Sequence, residues 1–142
     1  MSLIFSRQCE YAIQALIYLA KKTETEWISI KEIADHINIP QHFLGKIFQM
    51  LSNKGILKSK KGLQGGFCLS KPSSDINLKD IVDTIDGVAY STACVAGFPN
   101  CSNDSPCPLH NSWKDLREGI VKMLKMRNLK QMADEISKPG YN

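Results

Sequence analysis

Apolar positions recur at helical spacing along most of the chain. Ile13, Leu16, Ile17 and Ala20 form one stripe, which predicts a first helix over residues 9–22 with Ser6 as its N-cap. The polar stretch from Thr23 to Glu26 ends it. Ser29-Ile-Lys-Glu32 has the spacing of a capping box, and Ile30, Ile33, Ala34 and Ile37 give the helix it opens one apolar face. A turn at Asn38-Ile-Pro40 leads into a third helix. That helix turns Phe43, Leu44, Ile47, Phe48 and Leu51 inward and shows Gln41, His42, Gly45, Lys46 and Gln49 outward. Gly55 closes it, with Ile56 as apolar partner.

The period then changes. Residues 56–60 and 67–70 read as antiparallel strands joined by the glycine-rich Lys61-Gly-Leu-Gln-Gly-Gly66. Two helices around a tight turn, followed by a basic hairpin, make a winged helix-turn-helix. Asn77-Leu-Lys-Asp80 caps a further helix, with Leu78, Ile81, Val82 and Ile85 inward and Gly87 as its stop. Residues 88–108 form a loop rich in Cys, Pro, Gly, Ser and Asn, too long for a plain connection. A long helix resumes near His110 or Ser112 with Trp113, Leu116, Ile120, Met123 and Leu124 on a stripe, and a last segment carries Leu129, Met132, Ala133 and Ile136. A long amphipathic helix beyond a small core calls for a partner, and a second copy of the chain is the simplest. The predicted fold is mainly α with a small β-hairpin, a winged helix-turn-helix domain plus a long C-terminal dimerisation helix. It divides into a DNA-binding unit (1–87), a cysteine-rich ligand loop (88–110), and a dimerisation helix with the C-terminal segment (111–142).

At 142 residues the chain suits one domain and needs no disulfides to fold. It has no apolar run long enough to span a membrane. Met1-Ser-Leu-Ile-Phe-Ser-Arg7 lacks the pattern of a signal peptide, so the expected location is cytoplasmic, with reduced thiols. Charge changes the picture more. Residues 1–75 carry 10 basic and 6 acidic side chains, whereas residues 76–142 carry 8 of each. Between Asp35 and Asp75 there is no acidic residue, only Lys46, Lys54, Lys58, Lys60, Lys61 and Lys71. A positive field without internal neutralisation suits a polyanion such as DNA. No paired-carboxylate, nucleophile–base or nucleotide-loop constellation is present, so an enzyme is not expected.

Five cysteines are the remaining chemistry. Cys9 and Cys68, isolated on a helix and a wing strand, read as small packing residues. Cys94-x6-Cys101-x5-Cys107-x2-His110 gathers three thiols and an imidazole within 17 residues. The spacing leaves an iron–sulfur cluster, a Cys3His zinc site and metal-free redox thiols open.

With these motifs the sequence resembles the Rrf2 family of bacterial winged-helix repressors over about residues 3–135. The matching segments are Cys9-Glu-Tyr-Ala-Ile-Gln-Ala-Leu16, Ile39-Pro-Gln-His-Phe-Leu-Gly-Lys-Ile-Phe48, Lys61-Gly-Leu-Gln-Gly-Gly-Phe67, the cysteine triple, and Cys107-Pro-Leu-His-Asn-Ser-Trp113. The resemblance implies a homodimer packed along the long helix, with a cluster in the loop before it whose state alters binding to a palindromic operator in double-stranded DNA. It implies Cys94, Cys101 and Cys107 as cluster ligands. His110 is the favoured fourth ligand, with a 2Fe–2S cluster; Glu10 of the partner subunit is the alternative, with a 4Fe–4S cluster possible. Three departures stand out. One extra residue separates the first two cysteines, Gly45 replaces a glutamate of the cluster regulators, and Lys61 replaces a frequent arginine. Operator preference therefore does not transfer.

The expected function is a sequence-specific DNA-binding transcription regulator, a repressor modulated by an iron–sulfur cluster that senses iron–sulfur status, redox state or nitric oxide. Its expected DNA contacts are Ser29, Gln41, His42, Gly45 and Lys46 around the recognition helix, and Lys60, Lys61 and Gln64 on the wing. The alternative is a metal-free thiol-redox or zinc-stabilised repressor of the same fold. A winged helix used only for protein contacts would not need the acid-free basic interval.

Overall fold

Ser6 opens the first helix as its sequence predicts. Its hydroxyl accepts the Cys9 N–H at 3.1 Å, and α1 runs over Arg7–Ala20. The computed structural model describes residues 4–22 and 26–136. Lys21 caps α1, so the predicted stop at 23–26 lies largely outside the described residues. The buried face of α1 keeps Leu16 and Ile17 of the predicted stripe but is shifted and wider. It runs through Cys9, Ala12, Ala15, Leu16, Ile17 and Leu19, whereas Ile13 and Ala20 are half-buried. The small residues explain the rotation, because they let neighbouring helices approach α1 closely on more than one side.

Helices α2 (Ile30–Ile37) and α3 (Gln41–Asn53) form the predicted helix-turn-helix. Ser29 accepts the Glu32 N–H at 3.1 Å. The return half of the predicted capping box is replaced, because Glu32 accepts from the Tyr18 hydroxyl at 2.7 Å and so ties α2 to α1. Asn38 takes the left-handed conformation at φ 59°, which lets the Ile39 N–H reach the Ala34 carbonyl and turns the chain into α3. Leu44, Ile47, Phe48 and Leu51 of α3 are buried as predicted. Phe43 is not: it is 48% exposed and its ring lies beside that of His42.

Strands β1 (Leu57–Lys60) and β2 (Gly66–Leu69) pair antiparallel, Leu57 opposite Leu69 and Lys60 opposite Gly66. Ile28 adds a two-way bridge to Phe67 that no periodicity announces. A single 3₁₀ turn at Ser73–Asp75 precedes α4 (Leu78–Ile85), which begins with the predicted Asn77–Asp80 capping box. The predicted structureless stretch 88–108 contains one short helix, α5 (Ala89–Thr92). The long helix α6 covers His110–Met126, and α7 covers Leu129–Glu135. On the α6 stripe only Leu124 is fully buried, while Leu116 and Met123 stand exposed. α7 folds back onto α1, and an antiparallel bridge joins Asn128 to Asn77. One core therefore joins Leu16, Ile33, Leu44, Phe48, Ile76, Ile81, Leu124 and Leu129. Among the described residues no helix is long and apolar enough to cross a membrane.

Candidate functional site

Gln41, His42 and Lys46 are exposed on α3, as predicted for a face that meets a duplex. Gly45 is half-buried there, and a methyl added to it would lie 3.7 Å from Ile30 Cδ1, an ordinary contact. No clash requires glycine at this position. Ser29 caps the N-terminus of α2 beside the base of the wing: a Cβ on Gly66 would lie 2.9 Å from the Ser29 nitrogen. Edge-to-face packing of Phe48 and Phe67, centroids 4.8 Å apart, fixes the wing against α3.

The wing carries Lys60, Lys61 and Gln64, all exposed. Its turn depends on close backbone approaches. A Cβ on Gly66 would stand 2.3 Å from the Ile28 carbonyl oxygen, so only glycine lets β2 pass the Ile28 segment. Sequence reading missed two residues here. Leu63 is fully exposed at the wing tip. Trp27 lies under the wing, with Lys58 Nζ 5.8 Å and Lys60 Nζ 5.9 Å from its ring centroid. Both distances suit a cation–π contact. A lone tryptophan at residue 27 gives no local signal of wing lysines more than thirty positions away.

The three loop cysteines converge. The Sγ atoms of Cys94, Cys101 and Cys107 all lie within 4.8 Å of one another, with Cys94 and Cys107 3.6 Å apart. All three are free, half-buried thiols. His110, the first residue of α6, brings its Nδ1 to 3.2 Å from Cys101 Sγ. Its Nε2 lies 2.9 Å from the Asn103 amide oxygen. The Cys107 N–H donates to Cys101 Sγ. Glu10 lies on the first turn of α1, 3.8 Å from Arg7 Nη1, outside the thiol group.

Local donors favour a thiolate at Cys94. Partial desolvation raises the Cys94 thiol, but backbone N–H donors at Phe98 and Ala96, with the Cys107 and Cys101 thiols, outweigh it and bring it down to about 7. Desolvation and the two neighbouring thiols instead push Cys107 up, as expected where one thiolate disfavours the next. Cys9 is the contrast. Burial, reinforced by Asp86, pushes it up to about 12, in keeping with a packing role. Soft sulfur donors, one imidazole and N–H groups aimed at sulfur are a donor set that fits an iron–sulfur cluster or a soft cation.

Both arms of the loop are anchored. Tyr90 of α5 donates its hydroxyl to Asp83 of α4, which also pairs with Lys79. Trp113 of α6 donates its indole N–H to the Ala93 carbonyl at 2.9 Å, next to Cys94. These ties connect the thiols to α4, which packs against α1 and α3.

Comparison with known proteins agrees with this architecture. The profile of the Rrf2 family, described as iron-dependent transcriptional regulators, matches residues 5–135. A protein of Aquifex aeolicus (strain VF5), described as an HTH-type transcriptional regulator, is 33% identical over 134 residues, covering 93% of this chain and 92% of its own. The HTH-type transcriptional regulator IscR of Klebsiella pneumoniae (strain 342) is 27% identical, covering 87% of this chain and 76% of its own. Among solved structures, CymR (YrzC), the global cysteine regulator of B. subtilis, superposes with a TM-score of 0.81 at 26% identity. That match covers 94% of this chain and 98% of CymR. These relatives and neighbours are regulators, not enzymes.

Proposed function

The chain belongs to the Rrf2 family of transcriptional regulators, and on that premise we propose that it is a dimeric, cytoplasmic repressor whose grip on a palindromic operator responds to an iron–sulfur cluster held by Cys94, Cys101, Cys107 and His110. The observation that carries the reading is the convergence of three free thiols within 4.8 Å, on a loop fastened to both α4 and α6. When bound, such a cluster supplies a centre that changes with iron supply, oxidation or nitric oxide.

The chain's own residues do the rest. Gln41, His42 and Lys46 meet base edges or phosphates from α3, with bare Gly45 allowing close approach. Ser29 at the α2 N-terminus, and Lys60, Lys61 and Gln64 on the wing, take backbone phosphates. The exposed Leu116 and Met123 of α6 meet the same face of a second copy. Residues 1–87 thus read DNA, 88–110 hold the sensor, and 111–142 bring two readers together. Any change in the distance between Cys94 and the Cys107–His110 arm moves α5 relative to α6, and α4 carries the displacement toward α3. Half-site spacing on a duplex is fixed, so a displaced recognition helix changes affinity. His110 is the favoured fourth ligand; Glu10 of the partner subunit remains the alternative, with the larger 4Fe–4S cluster.

The test is titration of a palindromic operator fragment with cluster-loaded and metal-free protein at several salt concentrations. Different affinities are expected, and equal ones would refute the switch. A second reading is a zinc-stabilised or thiol-redox repressor. The 3.6 Å between Cys94 and Cys107 Sγ suits this reading as well, being close to the roughly 3.8 Å that two thiolates adopt on one tetrahedral zinc ion. Iron, sulfide and zinc analysis of anaerobically purified protein separates the two.

A further inference from the structure

His110 can serve a metal through either ring nitrogen, and in neutral imidazole one nitrogen carries the hydrogen while the other keeps a lone pair. Which is which depends on the partner of the nitrogen that points away from the metal. Here that partner is present. Ser102 and Ser105 close a short turn, the Ser105 N–H donating to Ser102 Oγ at 3.1 Å and the Ser102 N–H to the Ser105 carbonyl at 3.2 Å. Asn103 stands on this turn and faces His110, its amide oxygen 2.9 Å from Nε2. On the opposite side of the ring, Nδ1 lies 3.2 Å from Cys101 Sγ.

We propose that Asn103 is the positioning residue for His110. Its amide oxygen accepts the Nε2 hydrogen, which fixes the imidazole in the tautomer whose Nδ1 lone pair faces the three thiols. The inference rests on His110 being a metal ligand. It adds the atom through which His110 binds and the residue that selects that atom. Asn103 makes no bond to any metal itself. Without it the ring can turn about its bond to Cβ or exchange its hydrogen between nitrogens, and one donor is lost from a four-donor site. Loss of such a supporting partner lowers metal affinity by about 10–100-fold. Aspartate can take the same role, because a carboxylate oxygen accepts the Nε2 hydrogen as the amide oxygen does.

Two readouts on the full chain test this. In the metal-free protein, two-bond ¹H–¹⁵N correlation of His110 should report the Nε2–H tautomer, with Asn103→Ala giving a mixture and Asn103→Asp restoring the single form. Titration with Co(II) alone, followed through the thiolate-to-cobalt absorption, should give an affinity about 10–100-fold weaker in Asn103→Ala and within a few-fold of the original in Asn103→Asp. In a His110→Ala background the Asn103→Ala change should then have no further effect. An Nδ1–H tautomer in the unmodified protein, an unchanged Co(II) affinity in Asn103→Ala, or an equal loss in the His110→Ala background overturns the proposal. If the unmodified protein shows no thiolate-to-cobalt absorption, the metal reading falls and takes this inference with it.

Discussion

The ring of Phe67 meets the ring of Phe48 edge to face at 4.8 Å, and this contact joins the wing to the recognition helix. Phe48 is fully buried in the core, whereas Phe67 is only partly so. The two should therefore respond differently to truncation. Phe48→Ala is expected to cost about 3–5 kcal/mol, enough to leave little folded protein. Phe67→Leu should keep the fold and loosen the wing, so operator affinity falls while thermal stability drops only modestly. Paired thermal melts and DNA titrations read the difference; equal losses of both in the two variants would contradict it.

Two glycines should show opposite signs. Gly45 sits within α3 with room for a methyl, so Gly45→Ala should raise stability by about 0.5–1 kcal/mol. Gly66 has φ 151° and no room beside the Ile28 carbonyl, so Gly66→Ala should destabilise the protein and break the Ile28–Phe67 bridge. Urea unfolding measures both, and a destabilising Gly45→Ala would count against the packing described for α2 and α3.

Cysteine reactivity should divide by environment. The thiolate is the nucleophile, so lowering a thiol's pKa increases its reactive fraction at neutral pH. In metal-free protein, iodoacetamide should label Cys94 first, with the rate rising through an inflection near pH 7. Cys9, pushed up to about 12 and buried, should stay unlabelled until the protein unfolds. Peptide mapping across pH 6–9 checks this order; Cys107 labelling ahead of Cys94 would reverse the assignment.

Lys60→Ala or Lys61→Ala should each flatten the dependence of log K on log salt by about 0.9 if each lysine covers one phosphate. Trp27→Ala should weaken DNA binding by a smaller factor, because Lys58 and Lys60 lose the ring at 5.8 and 5.9 Å and with it about 0.5–1 kcal/mol each of orienting contact. Trp27→Phe should retain part of that effect. A fluorescence-anisotropy salt series distinguishes the lysines, which change the slope, from the tryptophan, which chiefly shifts the intercept.

Features written in consecutive residues were legible from sequence. Ser6, Asn77–Asp80 and Leu44, Ile47, Phe48 and Leu51 of α3 needed only local spacing, and the grouping of the three loop cysteines was legible in their spacing within one loop. Features that depend on distant neighbours were not. Phe43 shares the apolar spacing of Leu44 and Ile47, yet it faces outward because the inward arc of α3 is already filled. Glu32 leaves its capping role for Tyr18, a partner on another helix. Trp27 and Asn103 gain meaning only once folding brings Lys58, Lys60 and His110 to them.

The docking of α7 on α1 also ties the two ends of the described fold together. α1 comes first and α7 last among the described elements, yet they share one core, and Leu129 of α7 is fully buried in it. Ser6 likewise waits for Asp86, 80 residues downstream, which accepts from both its N–H and its hydroxyl. Contacts of such long sequence separation form late. The cysteine loop is bracketed by long-range contacts: α4 before it and α7 after it both pack on α1, so a disturbance at either end of the described chain reaches the frame that holds the thiols.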